Sequence, residues 1–358
     1  MSVTLDLVDP ADPYVEAIWR ALEHRSPPAY FLSWGWIENW LACIPKRHLP
    51  PLAVISSDGV ATAAAFLARR TLVRHHMLPS RAAFLNTTGI PRFDDLQIEH
   101  NSLLGTADLA TLVELVPGDW DELILPGVSA SAFAAISSET YHVRIDRAVP
   151  SPFVDLERVR SSAGGYLALL DAHTRAQIRR ARRGVSDLAI EHATNVEQAR
   201  AIYDELVELH GASWRARGQP GAFADPWFDM FHRRLIDGRF GAGEIELVRV
   251  TARGRTLGCL YNFVSHGKVL FYQSGFAHED DPRIKLGFLC HAAAIEDAAR
   301  AGHVTYDFLG GDARYKHSLA TNEVRLVWGR VQRPLARFAI EDRLRSWKHA
   351  LRSLHLLG

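Results

Sequence analysis

A carboxylate interrupts an apolar stretch near the C-terminal end of the chain, where residues 304–320 read VTYDFLGGDARYKHSLA. The alternation of side chains predicts a β-strand on which Asp307 lies on the face opposite to Tyr306 and Phe308. A carboxylate at a strand end that faces a cleft, with its pKa raised by burial, can act as a general base. The structural alternative is that Asp307 pairs with a nearby arginine.

Two glycines, a tyrosine and a lysine follow that strand. Gly310 and Gly311 allow the backbone to pass close to a substrate. Tyr315 can donate a proton to a leaving group, and Lys316 can hold an acidic group or a developing oxyanion. One short segment therefore combines a candidate base, a proton donor and a cation.

The elements that position this segment have a regular order in the second half of the chain. Apolar periodicity predicts helices over 201–218 and 226–238, the second ending at a C-cap glycine. Turn residues then divide 245–276 into three strands. A helix over 286–302 leads to the strand described above. This order predicts an α/β unit in which helices flank a mixed sheet.

The first half of the chain has a similar order. Residues 14–45 have a helical pattern, 51–71 predict a hairpin, and a helix at 109–116 precedes a short strand at 120–127. That strand reads WDELILPG and mirrors YDFLGG at 306–311. We interpret the two halves as an internal duplication. The predicted fold class is α/β (α+β), with tandem domains that each contain a mixed β-sheet flanked by helices.

The length of the chain also favours two domains, because a chain of 358 residues is commonly too long to fold around a single hydrophobic core. The predicted boundaries give a degenerate N-terminal domain at 1–155, a C-terminal domain that carries the site at 156–335, and an amphipathic basic helix at 336–358. That helix repeats apolar residues at spacings of three and four. It packs on the body of the protein or docks on a partner or a membrane surface.

The start of the helix that precedes the Asp307 strand suits a phosphate group. Free backbone N–H groups at a helix start bind phosphate, and the helix dipole assists them. The candidate groups are the amides of Leu286, Gly287 and Phe288, with positive charge from Arg283 and Lys285. The alternative is an ordinary junction between a loop and a helix.

Four stretches taken together resemble a known family. They are the aromatic helix with Trp34, Trp36 and Trp40, HTRAQIRRARRGVSDLAI at 173–190, YQSGFAHEDDPRIKLGFLCHAAAIEDAARAG at 272–302, and the segment at 304–320. They resemble the GNAT superfamily of N-acyltransferases, and more narrowly the CelD/BcsL-type acetyltransferase-like family, which is related to the FemABX peptidyltransferases. The acyl-CoA loop departs from the usual Q/R-x-x-G-x-G/A pattern, because Ile284-Lys-Leu-Gly-Phe-Leu keeps only the central glycine.

The resemblance implies an acyl-CoA or acyl carrier protein co-substrate and no tightly bound cofactor. Asp307 would deprotonate an amine, Tyr315 would protonate a leaving thiolate or ester oxygen, and Lys316 would hold an oxyanion or an acidic group. Donor-binding residues would be Arg283, Lys285, Leu286, Gly287 and Phe288. Substrate-binding residues would be Tyr272, Gln273, Gly310, Gly311 and Arg179. Aromatic core packing is the alternative for Tyr272.

Charge is distributed unevenly along a chain whose formal net charge is zero. Residues 1–155 hold 11 Lys and Arg against 18 Asp and Glu, and residues 156–358 hold 30 against 23. The basic half suggests a polyanionic partner such as coenzyme A, an acidic carrier protein or RNA, unless the two halves attract each other. An arginine cluster at 175, 179, 180, 182 and 183 faces solvent or meets phosphates.

Other classes of function lack their sequence signals. Cys43, Cys259 and Cys290 are far apart and suggest neither a disulfide framework nor a zinc site. No phosphate-loop, nucleophile-elbow or H-E-x-x-H motif is present, and no metal site is expected. His291 is interpreted as a core or helix-surface histidine. No apolar run is long enough to span a bilayer and no signal peptide is present, so a cytoplasmic protein is expected.

The leading interpretation is an N-acyltransferase that moves an acyl group from a thioester to an amine of a small or saccharide-linked acceptor. Direct attack is expected, since no activated cysteine or serine stands in the motifs. One alternative is an aminoacyl-tRNA-dependent peptidyl- or aminoacyltransferase of the FemABX type, which would bind tRNA. The other is an inert protein of the same fold that acts as a partner in polysaccharide biosynthesis.

Overall fold

The computed structural model of the chain describes residues 2–74, 78–96, 98–281 and 283–341. They form two compact units that are each discontinuous in sequence. Unit 1 contains 2–28, 44–148 and 326–341, and unit 2 contains 29–43 and 149–325. The predicted boundaries after residues 155 and 335 stay a prediction. Residues 336–341 are helical, and the rest of the predicted C-terminal helix lies outside the described residues.

The strands follow one another through both units. In chain order they are β1 (Val3–Val8), β2 (Leu52–Ser57), β3 (Val60–Arg74), β4 (Leu78–Leu85), β5 (Leu104–Gly105), β6 (Glu122–Ser129), β7 (His142–Asp155), β8 (Ala189–His192), β9 (Ile245–Ala252), β10 (Arg255–Ser265), β11 (Lys268–Phe276), β12 (Thr305–Asp307) and β13 (Asn322–Gln332).

The helices lie between these strands. They are α1 (Tyr14–Arg25), α2 (Trp34–Cys43), α3 (Pro91–Asp94), α4 (Leu109–Leu115), α5 (Ala130–Ala134), α6 (Leu156–Ser161), α7 (Gly165–Leu169), α8 (Ala172–Gly184), α9 (Val196–Arg215), α10 (Pro226–Arg239), α11 (Leu286–Arg300) and α12 (Arg314–Leu319). Short 3₁₀ turns occupy Tyr30–Leu32, Lys46–His48, Ala222–Ala224 and Phe240–Ala242.

The two units share an order of elements. In unit 1, β2, β3 and β4 form an antiparallel meander, α4 follows, and β6 returns parallel to β4. In unit 2, β9, β10 and β11 form the meander, α11 follows, and β12 returns parallel to β11. Helices flank a mixed sheet in each unit, so the predicted tandem α/β fold is confirmed.

The meander of unit 2 has two hairpin turns, and both lie where the sequence predicts them. Arg253-Gly254 and His266-Gly267 each have positive φ at both positions, between 47° and 74°. Such pairs match the right-handed twist of the flanking strands and make tight two-residue turns. At the start of the meander the prediction is wrong in one detail. Helix α10 continues past Gly238 to Arg239 and ends through a 3₁₀ turn at left-handed Gly243.

Two groups of helices cover the sheet of unit 2. On one face, α6, α7, α8 and α11 enclose an apolar core that includes Val248, Val269 and Phe271. Tyr306 and Phe308 belong to that core, which confirms the face that the alternation assigns to them. On the other face, α9 and α10 pack with α2 around aromatic rings of β10 and β11, among them Tyr261 and Tyr272. We call these the α11 face and the α9 face.

Helix α9 approaches β11 so closely that only glycine fits at position 275. A Cβ atom built there would lie 2.5 Å from the Leu206 carbonyl oxygen and 2.7 Å from the Leu209 Cβ. Both obstacles belong to the helix itself and cannot move independently of it. The α9–β11 packing therefore depends on the absence of this side chain.

We expect Gly275→Ala to lower the free energy of unfolding by about 1–3 kcal/mol, because the helix must shift to admit the methyl group. The matched control is Gly238→Ala in α10, whose added Cβ would meet no atom within 4 Å. That change should raise the free energy of unfolding by up to ~1 kcal/mol, since alanine favours helix over glycine. Urea denaturation of both variants measures the difference, and equal effects would contradict this account of the packing.

Candidate functional site

The sheet of unit 2 opens between β11 and β12. These parallel strands pair only at Lys268–Leu270 with Thr305–Asp307, although β11 continues to Phe276. From Phe271 onward, β11 keeps β10 as its neighbour, and no strand among the described residues pairs with its other side. A β-bulge lies at this point, because Phe271 pairs with Asn262 and Gln273 with Tyr261. We call this gap the strand opening.

Asp307 creates the opening by turning the chain. The amide of Leu309 donates to Asp307 Oδ1 at 2.7 Å, and the Ser151 hydroxyl donates to the same oxygen at 3.3 Å. Leu309 has φ +59°, a left-handed conformation that costs a branched residue ~1–3 kcal/mol. The strand that the sequence predicts in this segment therefore ends at Asp307, because the carboxylate fixes a turn where further pairing would occur.

Lys316 closes the same turn from the other side. Its ammonium group donates to the carbonyl oxygens of Leu309 at 3.2 Å and Gly310 at 2.8 Å. Gly311 follows with φ +139°, and a Cβ there would lie 3.3 Å from Lys316 Nζ. Lys316 thus binds backbone carbonyls in this structure, where the sequence predicts an oxyanion or acidic partner.

Residues 150–152, which belong to β7, also support the turn. The amide of Phe308 donates to the Pro152 carbonyl at 3.0 Å, and the amide of Gly311 donates to the Pro150 carbonyl at 2.9 Å. Ser151, between the two prolines, is fully buried and contacts Asp307. The sequence analysis missed Ser151, because no local pattern links it to a residue so distant in the chain.

Tyr315 lies on the α11 face beside His291. The two rings are stacked with centroids 5.6 Å apart, and Phe308 meets the Tyr315 ring edge-on at 6.3 Å. Burial raises the pKa of Tyr315 to about 12, so the phenol is protonated at neutral pH. Burial lowers the pKa of His291 to about 3, and its Nδ1 lies 3.3 Å from the Tyr306 hydroxyl. His291 is a neutral core histidine that packs under Tyr315.

The start of α11 keeps its backbone amides open. Lys285 occupies the N-cap position, and no side chain of the described residues donates or accepts a capping hydrogen bond there. The Phe276 ring packs against Gly287, where a Cβ would lie 3.3 Å away. Leu286, Gly287 and Phe288 therefore present N–H groups next to the far end of β11. Anion binding at this helix start stays a prediction.

Positive charge surrounds that helix start. Lys285 and Arg283 are exposed. Arg283 forms a bidentate ion pair with Asp281, which together with Arg180 of α8 lowers the pKa of Asp281 to about 2. Arg182 is bound to Glu296 at 2.6 Å, so it is not available for a ligand in this state. The arginine cluster of α8 is thus partly an ion-pair network and partly an exposed surface.

The corresponding helix start in unit 1 is closed. The Asp108 carboxylate caps α4 by accepting the amide of Thr111 at 2.8 Å. The hydrogen bonds from Thr111 lower the pKa of Asp108, so a negative charge stands where a phosphate would have to bind. The two equivalent helices thus differ in their caps, since a carboxylate caps α4 and Lys285 occupies the N-cap position of α11.

The predicted substrate residues are divided between the faces. Tyr272 packs on the α9 face against Phe263, with centroids 4.8 Å apart, and against His232 at 4.9 Å, so the aromatic-packing alternative describes its ring. Gln273 is half-buried next to it. Arg179 is exposed on α8, which covers the opposite face, and does not join Tyr272. Gly310 and Gly311 lie in the turn with Asp307 and Lys316.

Two further expectations concern metals and membranes. Within the described ranges, no three or more His, Cys, Asp or Glu side chains are grouped so that they could hold a metal ion. Among the described helices, none has the length and apolarity that crossing a bilayer requires.

The comparison with protein families agrees with this geometry. Residues 172–317 match the family described as acetyltransferase (GNAT) domain, and they include the strand opening, α11 and the start of α12. The match covers less than half of the chain. This part of the chain is similar to GNAT acetyltransferase domains, and an acyltransferase is the class of enzyme that the match indicates. No curated protein matches the sequence.

Solved structures show the same fold over nearly the whole chain. FemX matches 95% of this chain and 99% of its own, with TM-score 0.55 and 11% identity. A conserved protein of unknown function from Bacteroides thetaiotaomicron matches 92% of this chain and 100% of its own, with TM-score 0.53 and 13% identity. The C-terminal domain of a putative lysylphosphatidylglycerol synthetase from Agrobacterium fabrum matches 92% and 95%, with TM-score 0.50 and 13% identity.

The contacts of Asp307 predict different outcomes for two substitutions. Asp307→Ala removes the acceptor of the Leu309 amide and should lower the free energy of unfolding by about 1–3 kcal/mol. Asp307→Asn keeps an oxygen at that position and should cost much less. Urea denaturation distinguishes them. If both variants are as stable as the parent, the carboxylate does not hold the turn.

Proposed function

We propose that the chain is an N-acyltransferase that moves an acyl group from a thioester, acyl-CoA or an acyl carrier protein, to an amine. The observation that carries this proposal is the strand opening, which ends at the uncapped start of α11. An extended donor fits there with its phosphates at the helix amides and its thioester in the opening. The narrower assignment to the CelD/BcsL-type family is part of the same proposal and rests on the resemblance of the sequence motifs.

The donor's phosphates would contact the amides of Leu286, Gly287 and Phe288. The Phe276 ring packs on the side of Gly287 where a Cβ would lie, so glycine lets the end of β11 lie close to this helix start. Lys285 and Arg283 add charge that attracts a phosphate from solution. Arg283 would have to exchange Asp281 for the ligand, so Lys285 supplies the more direct interaction.

The acyl carbonyl would lie along β11 beyond Leu270, where β12 no longer pairs with it. The amine attacks the carbonyl carbon, a C–N bond forms, and the C–S bond breaks with its electron pair on sulfur. Burial raises the pKa of the Cys259 thiol to about 12, and it also raises the pKa of Cys290. Neither thiol is a ready nucleophile, which supports direct transfer without a covalent intermediate.

Tyr315 would stabilise the leaving group. Its pKa of about 12 keeps the phenol protonated, so it donates a hydrogen bond to the departing atom. A thiolate, whose conjugate acid has a pKa of ~8.5, is too weakly basic to take that proton completely. Tyr315 therefore acts on a thioester as a hydrogen-bond donor, and the leaving sulfur takes its final proton from the amine or solvent.

The protonated phenol of Tyr315 also favours a second candidate, an aminoacyl-tRNA-dependent transferase. An alkoxide leaving group is far more basic than a thiolate, so a phenol with a pKa of about 12 is better matched to an ester than to a thioester. Exposed arginines on α8 could contact a polyanion. The fold shared with FemX agrees with either donor and does not separate the two.

We expect acetyl-CoA or a longer acyl-CoA to raise the melting temperature, by an amount that grows with ligand concentration. Lys285→Glu should weaken binding by about tenfold, which is ~1.4 kcal/mol. Lys268→Glu, an equal charge reversal at the exposed start of β11, is the control and should leave binding unchanged. A salt-sensitive shift with tRNA and none with any CoA thioester would favour the second candidate. No shift with either would contradict the donor site.

Replacement of Tyr315 by phenylalanine removes the hydroxyl and keeps the stacking on His291. We expect kcat for acetyl transfer to fall by about 10- to 100-fold while the acetyl-CoA shift in melting temperature is retained. Steady-state release of free thiol measures the rate. An unchanged kcat would remove Tyr315 from the mechanism.

A further inference from the structure

A buried histidine lies on the α9 face of β11, beyond the point where the strand opening begins. His210 of α9 is 7% exposed, and its Nδ1 lies 3.1 Å from the carbonyl oxygen of Ser274. The neighbouring Gly275 allows this approach, because a Cβ there would come within 2.9 Å of the His210 backbone nitrogen. His210 therefore contacts the part of β11 that has no β12 neighbour.

The hydrogen bond to Ser274 fixes the tautomer of the ring. A carbonyl oxygen can only accept, so Nδ1 of His210 carries the hydrogen and donates it. Burial and the positive charge of Arg217 lower the pKa of His210 from its usual value, although the Ser274 contact opposes this. The ring is then neutral at pH 7, and Nε2 has a free lone pair.

That lone pair has no hydrogen-bond partner in the part of the chain that the structure describes. A buried polar atom without a partner costs ~1–3 kcal/mol and calls for an explanation. A glycine, Gly221, lies next to Nε2. Gly221 has φ +77°, and a Cβ there would lie 3.2 Å from His210 Nε2. Gly221 therefore lies against the nitrogen with no side chain of its own between them.

Gly221 follows an exposed segment of a loop. Residues 215–220 are all exposed, and Gly218 also has positive φ. Two aromatic rings border the histidine, Trp214 at 5.7 Å between centroids and Phe223 at 5.0 Å. Trp214 is half-buried, and the Arg217 guanidinium lies over its ring at 4.7 Å. A movement of this loop would uncover a hydrogen-bond acceptor between two aromatic rings.

We propose that His210 Nε2 binds the acceptor amine and takes its proton, and that the acceptor enters under the loop at 216–221. This inference rests on the proposed acyltransferase function. The C–N bond forms as the C–S bond breaks, the electron pair leaves with sulfur, and the amine proton passes to Nε2 and then to solvent. Arg217, the charged group next to the ring, disfavours a cationic ammonium and favours the neutral, nucleophilic amine.

The variant His210→Asn separates the hydrogen bond to Ser274 from the proton transfer. The asparagine amide reaches the position of Nδ1 and can still donate to Ser274, but no atom remains at the position of Nε2. With acetyl-CoA as donor and hydroxylamine as the probe amine, hydroxamate formation at pH 7 should fall by about 100-fold. The acetyl-CoA shift in melting temperature should be unchanged, since the donor lies at α11.

The pH profile gives a readout that a merely structural role would not alter. Nε2 must be unprotonated to accept the proton, so the parent rate should fall as the pH drops through the lowered pKa of His210. At a fixed concentration of unprotonated hydroxylamine, that acidic limb should disappear in His210→Asn. His192→Asn is the control, because His192 is a half-buried histidine of β8 outside the site. A His210→Asn rate within a factor of about three of the parent would overturn the proposal.

A measurement without turnover keeps this test separate from the test of the donor. In protein labelled with ¹⁵N-histidine, the His210 signals are those that vanish in His210→Asn. They should show a hydrogen on Nδ1, and the Nε2 signal should shift as hydroxylamine is added. If the protein binds no acetyl-CoA, the proposed donor fails, but the Nε2 shift still supports the amine site. An Nε2 signal that does not respond to hydroxylamine would overturn it.

Discussion

The separation of β11 from β12 is the constraint on which the rest of the site depends. Parallel neighbours normally satisfy each other's backbone groups along their common length. Here the Asp307 carboxylate accepts the amide of Leu309 and turns the chain away after three paired residues. The left-handed leucine is costly, and the hydrogen bonds from Ser151 and Lys316 to this turn offset that cost. Strain is held where the strands part, and beyond this point β12 no longer pairs with β11.

Local sequence patterns predict the elements because each pattern has a local physical cause. Arg253-Gly254 marks a hairpin turn since glycine tolerates positive φ, and alternation places Tyr306 and Phe308 in one core. No local sequence pattern indicates the hydrogen-bond partners of Asp307. Ser151 lies 156 residues earlier, and only the folded sheet brings it to the carboxylate. The charge of Lys316 suggested an anionic partner. Its carbonyl partners could not be predicted, because only the folded turn brings them to the ammonium group.

Helix capping explains how two similar units differ in what their helices can bind. An aspartate at the N-cap satisfies the helix and fills the anion position, whereas a lysine there leaves the amides open. Asp108 and Lys285 show this difference in the structure. Both residues are visible in the sequence, so the distinction could have been predicted from capping rules. His210 could not, because its significance depends on the close approach of α9 to Gly275.

The two faces of the sheet in unit 2 separate two kinds of proton chemistry. On the α11 face, burial keeps Tyr315 protonated and makes it a hydrogen-bond donor. On the α9 face, burial keeps His210 unprotonated and leaves a lone pair. The same physical cause thus gives opposite protonation states, because desolvation disfavours phenolate and imidazolium alike. A carbonyl in the opening between the strands would have a donor on one side and an acceptor on the other. An acyl transfer needs this division, since the leaving group and the nucleophile must be served by different groups.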